Sequence, residues 1–328
     1  MDLPLPLRAK IEEKADACSQ EKLIAAANAI SLRYRRESGR GNRLLTEDLE
    51  ALSYAIARMP ATFGAVCTAL SHTAAVFGGS LESVLDVGAG TGAADWAVRE
   101  CCPDIQRFTC LERENAMMKL GRELMQADEV LAQAAWLRQD LVTSELSCHA
   151  DLVCESYALN ELTDSAREDA VRKLWNCADK LLLLIEPGTP VGFSHLRKAR
   201  TQLLALGGHM VAPCVHEGIC PLPEDDWCQF TCRVQRSRLQ KLLKGGDAPY
   251  EDEKFSYLAM AKEPSVLPDG RILRHPVKGS GHIGLKLCTA QGITETVVTK
   301  KQGEAYKAAR KASAGDFLAV SSTLSMRK

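Results

Sequence analysis

A short apolar strand followed by three alternating glycines constrains this chain more than any other feature. Residues 83–87 are expected to form a buried strand, and Gly88, Gly90 and Gly92 follow it directly, ahead of a helical stretch at 93–101. Glycine permits a tight turn and lets a ligand approach the peptide groups closely. The G-x-G-x-G spacing differs from the G-x-G-x-x-G of dinucleotide-binding folds. The pattern predicts a ligand-binding loop at the carboxyl end of the first strand of an α/β sheet.

Short apolar runs alternate with helical stretches through the middle of the chain. This rhythm predicts an α/β fold with a doubly wound parallel sheet. Four further strands are expected at 108–111, 135–138, 152–156 and 181–185, with crossover helices at 93–101, 115–127 and 165–178. Four segments follow: a helical N-terminal domain at 1–77, the α/β domain at 78–208, a cysteine-rich region with β-strands at 209–290 and a basic β/helical tail at 291–328.

Asp86 precedes the glycines, and the resulting D-x-G-x-G-x-G resembles motif I of class I methyltransferases, whose loop holds S-adenosylmethionine. Glu112 closes the second strand, where a carboxylate accepts hydrogen bonds from both ribose hydroxyls. Asp140, after the third strand, resembles the residue that contacts the adenine amino group, although a helix cap is an alternative. The predicted cofactor site comprises Asp86, Gly88, Ala89, Gly90, Gly92, Glu112 and Asp140.

The end of the fourth strand is where a methyl acceptor would meet the cofactor. Methyl transfer from a sulfonium needs in-line placement of a nucleophile and, in some cases, a base. Asn160 and Glu161 are polar residues at this position and are the candidate catalytic residues. The alternative is that both merely cap the following helix.

Three cysteines, Cys214, Cys220 and Cys228, are clustered in a loop-rich segment. Soft thiolates on irregular backbone suit zinc or an iron–sulfur cluster. Their spacing is wider than the paired cysteines of zinc ribbons. Cys288 is the preferred fourth ligand, and the rival fourth ligands are Cys232, His216 and His282. Reduced structural cysteines are the alternative to a metal centre.

The net charge of −1 hides an uneven distribution of charge. From residue 231 onward there are 18 Lys and Arg against 9 Asp and Glu, whereas residues 1–230 hold 23 against 33. A basic C-terminal third suggests a polyanionic partner. A solvated charged surface is the alternative. The chain start has no signal-peptide pattern and no apolar run long enough to span a bilayer, which predicts a cytoplasmic protein without membrane contact.

Several further motifs accompany the glycine loop along the chain. They are Arg58-Met59-Pro60-Ala61-Thr62, Ser156-Tyr157-x-Leu159-Asn160-Glu161-Leu162, Ile185-Glu186-Pro187-Gly188-Thr189-Pro190, the Pro-Cys…Cys-Pro…Trp-Cys-x-Phe block, and Tyr306-x-x-Ala309-Arg310-Lys311 followed by Gly315-Asp316. With the loop at 86–92, the whole sequence resembles the methyltransferase-like family associated with the mitochondrial small ribosomal subunit, including its bacterial relatives.

This resemblance implies a Rossmann-like class I methyltransferase sheet with an N-terminal helical domain and a C-terminal cysteine-rich β extension. It also implies S-adenosylmethionine as cofactor and a [4Fe–4S] cluster, with zinc as the alternative metal, on Cys214, Cys220, Cys228 and Cys288. The implied function is action on or with the small ribosomal subunit, through rRNA methylation or in subunit assembly or translation, and an rRNA methyltransferase is the first hypothesis. The alternatives are a non-catalytic ribosome-assembly factor that binds the same groups, and a small-molecule methyltransferase without RNA affinity.

The resemblance further implies contact with the small ribosomal subunit or its rRNA, which fits the basic C-terminal third. We expect a helix at 233–244 to carry a cationic face made of Arg233, Arg236, Arg238, Lys241 and Lys244. Additional phosphate contacts are expected from Lys300, Lys301, Lys307, Arg310 and Lys311. We expect the protein to be monomeric.

Overall fold

The computed structural model describes residues 1–37 and 47–318. Four helices form the N-terminal part: α1 (Leu5–Asp16), α2 (Gln20–Glu37), α3 (Asp48–Ala57) and α4 (Met59–Ala74). In α1 the buried residues Leu7, Ile11 and Ala15 recur at helical spacing, as expected for a helix with one apolar face. Pro60 lies in the first turn of α4, where the missing amide hydrogen costs no intrahelical hydrogen bond.

Five parallel strands form the first part of the main sheet: β1 (Ser83–Val87), β2 (Arg107–Glu112), β3 (Ala135–Arg138), β4 (Ala150–Ser156) and β5 (Ala178–Pro187). They lie in the order β3-β2-β1-β4-β5. The crossovers contain α5 (Ala93–Cys101), α6 (Asn115–Met125) and α7 (Asp164–Cys177). All five predicted strands are present. Strands β1, β4 and β5 are largely buried on both faces because helices cover both sides of the sheet.

The main sheet is completed by elements from the cysteine-rich part of the chain. Following α8 (Pro190–Ala205) come β6 (His209–Ala212), β7 (Phe230–Gln235), α9 (Arg238–Lys244) and β8 (Tyr250–Ala261). Strand β8 pairs antiparallel with β5, β6 and β7. The sheet order becomes β3-β2-β1-β4-β5-β8-β6, and the predicted α/β architecture, a Rossmann-like sheet with N-terminal helices, is confirmed. The sheet therefore continues beyond residue 208, across the predicted domain boundary.

One local prediction in this region is wrong. The sequence predicts a continuous helix at 233–244, but Arg233 lies in strand β7, and α9 begins only at Arg238. Val234 is buried while Arg233 and Gln235 are exposed, so this segment alternates with the period of two that belongs to a strand. The Ser237 side chain then caps α9, with Gln240 completing a capping box.

A second, smaller antiparallel sheet follows the main sheet. It contains β9 (Gly270–Ile272), β10 (Val277–Gly279), β11 (His282–Thr289), β12 (Gly292–Thr299) and β13 (Phe317–Leu318), with α10 (Glu304–Lys311) before the last strand. Ile283, Leu285 and Leu287 alternate along β11 and pack with Ala309 of α10. Cys288, on the other face of β11, packs against the cysteine loop. The part of the predicted tail at 319–328 lies outside the described residues.

None of the described helices combines the length and the apolar character that crossing a membrane would require.

Candidate functional site

A pocket of about 110 Å³ opens at the carboxyl ends of β1, β2 and β4. This is the edge at which open α/β sheets bind ligands. Five of the residues predicted from the sequence line it: Gly88, Gly90, Glu112, Asp140 and Glu161. The predicted residues Asp86, Ala89, Gly92 and Asn160 are not part of its wall.

The glycine loop turns tightly between β1 and α5. The φ angles of Gly88, Gly90 and Gly92 are 78°, 57° and 82°, in the left-handed region that side chains disfavour. The amide groups of Gly88 and Ala89 donate to the carbonyl oxygen of Leu111, at 2.9 and 3.0 Å. A Cβ atom on Gly88 would lie 2.8 Å from the Cβ of Ala158. The loop is thus fixed to β2, and its first glycine lies directly against the turn after β4.

Glu112 connects the loop to the end of β2. Its Oε2 accepts a hydrogen bond from the Gly90 amide, and its Oε1 accepts one from the Glu114 amide, both at 2.8 Å. The side chain is buried, and burial raises the pKa of its carboxyl group, against the lowering effect of these hydrogen bonds. An ionised carboxylate offers about four acceptor positions. Glu112 therefore keeps acceptor capacity on the pocket side.

Arg113 lies among three acidic side chains at the pocket. Its guanidinium lies 3.4 Å from Glu114, 3.8 Å from Asp140 and 3.5 Å from Glu161. Asp140 also accepts a hydrogen bond from the Val142 amide at 2.8 Å, which is the local turn geometry of an Asx residue. The structure thus gives Asp140 a turn-forming role and at the same time exposes it to the pocket.

Asp86 lies beneath the loop instead of facing the pocket. It is fully buried next to Asp95 of α5, and neither of its oxygens has a hydrogen-bond partner within 1–37 and 47–318. Burial raises the pKa of Asp86 well above its usual range and that of Asp95 to about 7. The Cys110 thiol donates to Asp95 Oδ2 at 3.3 Å. Two neighbouring buried carboxyl groups favour a shared proton because both cannot be ionised cheaply.

The turn after β4 is held by two buried carboxyl groups. Glu155 Oε1 accepts hydrogen bonds from the amides of Ala158 and Leu159, at 2.6 and 2.9 Å, and Glu186 Oε1 accepts one from Asn160 at 3.1 Å. Burial raises the pKa of Glu155 well above its usual range and that of Glu186 to about 8. The backbone of this turn is therefore fixed by side chains from the ends of β4 and β5.

His195 of α8 contacts the other oxygen of Glu186, with 3.2 Å between Nδ1 and Oε2. Burial lowers the pKa of His195 to about 4 and raises that of Glu186. Both directions favour a neutral pair in which the protonated carboxyl group of Glu186 donates a hydrogen bond to Nδ1 of His195.

Tyr157 adopts a φ of 66°, and it is the only non-glycine residue with positive φ among those described. Its hydroxyl donates to Glu253 Oε1 of β8 at 3.1 Å, and Arg58 lies 3.3 Å from the same oxygen. Tyr157 and Tyr54 of α3 both line the pocket. Non-glycine residues held in this region are strained and cluster at functional sites.

Sequence reasoning missed Tyr54, Tyr157 and Glu253 as parts of this site. The Ser156-Tyr157 motif offered a signal for Tyr157. No local pattern marks Tyr54 or Glu253, because only the tertiary fold brings Tyr54 to the pocket and Glu253 to the hydroxyl of Tyr157.

The four predicted cysteine ligands line a single second cavity. Cys214, Cys220, Cys228 and Cys288 share it with apolar residues such as Leu222, Leu258 and Leu273. Burial raises the pKa of the Cys288 thiol to about 12 and also raises that of Cys214. His216 also lines the cavity, with Nε2 at 3.9 Å from the Cys288 sulfur. Cys232 and His282, which were rival candidates for the fourth ligand, are not in its wall.

The four thiols share the wall of one cavity without reaching ligand geometry. Across residues 1–37 and 47–318, no three His, Cys, Asp or Glu side chains are arranged so that they could hold a metal ion. The donor types present are four thiols and one neighbouring imidazole among apolar side chains, and soft metals prefer such ligands.

The cationic face expected on one helix at 233–244 is divided between β7 and α9, and three of its five cations pair with two carboxylates of β8. Arg233 pairs with Asp252 at 2.7 Å, and Arg236 and Lys244 pair with Glu251 at 3.0 and 2.6 Å. Near the C-terminus, by contrast, Lys300, Lys301, Arg310 and Lys311 are exposed, whereas Lys307 pairs with Glu304 at 2.7 Å.

The fold resembles solved methyltransferase structures. Magnesium protoporphyrin IX methyltransferase from Synechocystis PCC 6803 with bound SAM is 15% identical, with a TM-score of 0.40 over 70% of this chain and 90% of that chain. N-methyltransferase NodS from Bradyrhizobium japonicum WM9 with bound S-adenosyl-l-homocysteine is 12% identical, with a TM-score of 0.39 over 60% of this chain and 84% of that chain.

Two curated relatives match different shares of the chain. "Ribosome assembly protein METTL17, mitochondrial" from Homo sapiens is 27% identical over 96% of this chain and 72% of its own length. "Rsm22-cox11 tandem protein 2, mitochondrial" from Schizosaccharomyces pombe is 28% identical over 50% of this chain, which spans only 29% of that relative.

The predicted cytoplasmic location is contradicted by these relatives, because their names place them in mitochondria. The family model described as "Mitochondrial small ribosomal subunit Rsm22" matches residues 48–319, which is most of the sequence. The match covers the glycine loop, the turn after β4, the cysteine cavity and the second sheet. The chain therefore belongs to the Rsm22 family of the mitochondrial small ribosomal subunit.

Proposed function

We propose that this chain binds S-adenosylmethionine in the pocket beside the glycine loop and acts with the small ribosomal subunit. One observation supports the cofactor assignment: Gly88, Gly90, Glu112 and Asp140, which follow three different strands, line the same pocket. When bound, the cofactor supplies an electrophilic methyl group on its sulfonium. The remaining acceptor positions of Glu112 would take the ribose hydroxyls, and Asp140 would accept from the adenine amino group.

Isothermal titration of the full chain with S-adenosylmethionine tests this assignment. Glu112→Gln replaces one carboxylate oxygen, a hydrogen-bond acceptor, by an NH₂ group, which can only donate. The NH₂ group cannot accept the hydrogen bond of a backbone amide or of a ribose hydroxyl. A lost charge-assisted hydrogen bond is worth about 1.5–3 kcal/mol, so binding should weaken by about 10–100-fold. Glu82→Gln, an exposed carboxylate outside the pocket, is the matched control. Absence of binding by the folded wild-type protein would refute the proposal.

Methylation of small-subunit rRNA is the first candidate for what the bound cofactor does. The support is the family, together with an acceptor side built from Tyr54, Tyr157 and Glu161 next to the cofactor loop. These side chains offer aromatic faces, a hydroxyl and a carboxylate with which an unstacked base could be held. A radiolabelled methyl group should then appear in rRNA of immature small subunits.

A second candidate is an assembly protein that binds the cofactor without transferring its methyl group. Two observations favour it: Asn160 does not line the pocket, and Glu161 is engaged by Arg113 at 3.5 Å. The human relative is also named a ribosome assembly protein. This candidate would be supported if the protein binds small subunits but transfers no radiolabelled methyl group to rRNA under saturating cofactor. A protein that binds the cofactor but neither small subunits nor rRNA would instead be a small-molecule methyltransferase.

We propose in addition that Cys214, Cys220, Cys228 and Cys288 hold a [4Fe–4S] cluster, with zinc as the alternative metal. Support comes from their shared cavity and its largely apolar wall. The metal centre would tie the cysteine loop to the second sheet through Cys288. Iron, sulfide and zinc analysis after anaerobic purification tests the assignment. Cys214→Ser should lower the metal content, whereas the exposed Cys101→Ser should not.

The exposed cations Lys300, Lys301, Arg310 and Lys311 are the proposed phosphate contacts. Each phosphate contact contributes about 0.7–0.9 to the slope of log affinity against log salt concentration. Replacing all four by Gln should therefore weaken rRNA binding and flatten its salt dependence. The Arg233→Gln variant, whose arginine pairs with Asp252, should change neither.

We expect the protein to be a monomer, which sedimentation measures directly.

A further inference from the structure

Two arginines next to the cysteine cavity are unusually buried. Arg271 is 0% exposed and Arg200 only 6%. Within the described ranges, neither guanidinium forms an ion pair with a carboxylate, and Arg200 Nε, Arg271 Nε and Arg271 Nη2 have no hydrogen-bond partner. Burying a cation without a counter-charge is costly, so each arginine needs a source of negative charge.

Arg271 lies beside one of the four cysteines. Strand β9 pairs antiparallel with β11, and the register places Arg271 directly opposite Cys288. Side chains opposite each other in such a pair lie on the same face, with Cβ atoms about 4.5–5.5 Å apart. Arg271 Nη1 donates to the Tyr257 hydroxyl at 3.2 Å, and Tyr257 lines the cysteine cavity. The guanidinium is therefore held directly behind the cavity wall, between Tyr257 and the ring of Phe317, whose centroid lies 3.9 Å away.

Arg200, in α8, lines the same cavity. Its Nη2 donates to the carbonyl oxygens of His216 and Gly218, both at 2.8 Å. Both carbonyl groups belong to the loop between Cys214 and Cys220. Arg200 thus fixes this loop by one nitrogen while its charge faces the thiols.

The positive charges of Arg200 and Arg271 can be balanced by thiolates of the four cysteines. Four protonated thiols would be neutral and would leave both arginines uncompensated. Thiols that ligate a metal release their protons to solvent, so four thiolates around a core of charge +2 carry a net charge of −2. We propose that Arg200 and Arg271 are the buried counter-charges of this dianionic tetrathiolate centre and stabilise its metal-bound state. The inference rests on the metal centre proposed above.

Comparison of charge-retaining with charge-removing variants tests the inference in the full-length, anaerobically purified protein. Arg271→Lys and Arg271→Gln both lose the planar guanidinium, but only Lys keeps the positive charge; Arg200→Lys and Arg200→Gln form a second pair. Metal affinity is measured by competition with a chelator, and the melting temperature of the metal-free protein is measured alongside. Arg233→Gln, an exposed cation, is the control.

We expect each Gln variant to bind the metal at least about tenfold more weakly than the matching Lys variant, a difference of about 1.4 kcal/mol. In the metal-free protein, where the buried charge has no partner, each Gln variant should melt no lower than the matching Lys variant. If the wild-type protein binds the metal and the Lys and Gln variants bind it equally tightly, the counter-charge role is refuted. The proposed metal centre itself would stand. A wild type without metal would instead overturn the proposed centre. If the Arg271 variants do not fold, the Arg200 pair decides.

Discussion

The contact between the glycine loop and the turn after β4 can be measured by a double-mutant cycle. In the single variant Gly88→Ala, the new methyl group lies 2.8 Å from the Cβ of Ala158, and the backbone stays at a φ of 78°. The left-handed conformation costs a non-glycine residue about 1–2 kcal/mol. Overpacking of a rigid site adds about 1–3 kcal/mol. The free energy of unfolding should therefore fall by about 2–5 kcal/mol.

The second variant, Ala158→Gly, removes the atom that the new methyl group meets. Alone it should cost about 0.5–1 kcal/mol, because glycine loses more conformational freedom on folding. In Gly88→Ala/Ala158→Gly only the backbone strain remains, so the double variant should be about 1–3 kcal/mol more stable than the sum of the single effects. Urea unfolding of the four proteins measures this coupling. Additivity within about 0.5 kcal/mol would refute the close contact of loop and turn.

Two further predictions concern the turn after β4. Burial raises the pKa of Glu186 from 4.5 to about 8, so the carboxyl group stabilises the fold at low pH and that contribution is lost as pH rises from 4.5 through 8. Glu186→Gln should remove this part of the pH dependence of the unfolding free energy; equal pH profiles for variant and wild type would contradict the buried neutral pair. Tyr157→Phe leaves Glu253 with Arg58 as its partner and should cost about 1 kcal/mol by urea unfolding, and a loss below about 0.3 kcal/mol would show that the hydroxyl contact does not form.

The sequence predicts the first half of the main sheet well, because each strand there is a short apolar run that ends in a glycine loop or an acidic residue. The pocket-lining residues Gly88, Glu112 and Asp140 follow from that placement. They are local features of strand ends, and the parallel sheet brings strand ends together.

Features that depend on distant partners could not be predicted in this way. The basic residues at 233–244 recur with helical spacing, but Arg233 pairs with β8 as part of a strand. Asp252 and Glu251 of β8 form ion pairs with the basic residues of this segment. Tyr54 reaches the pocket only because α3 packs against α6. These tertiary contacts cannot be predicted from the local sequence of either segment.

The position of β8 has a consequence for synthesis of the chain. It lies inside the sheet between β5 and β6, yet it is the last strand of that sheet to leave the ribosome. Until residue 261 has emerged, β5 presents an unpaired apolar edge, which invites wrong pairing. The cysteines at 214–228 also emerge before their partner at 288. A nascent chain stalled in this interval should be the species most in need of a chaperone.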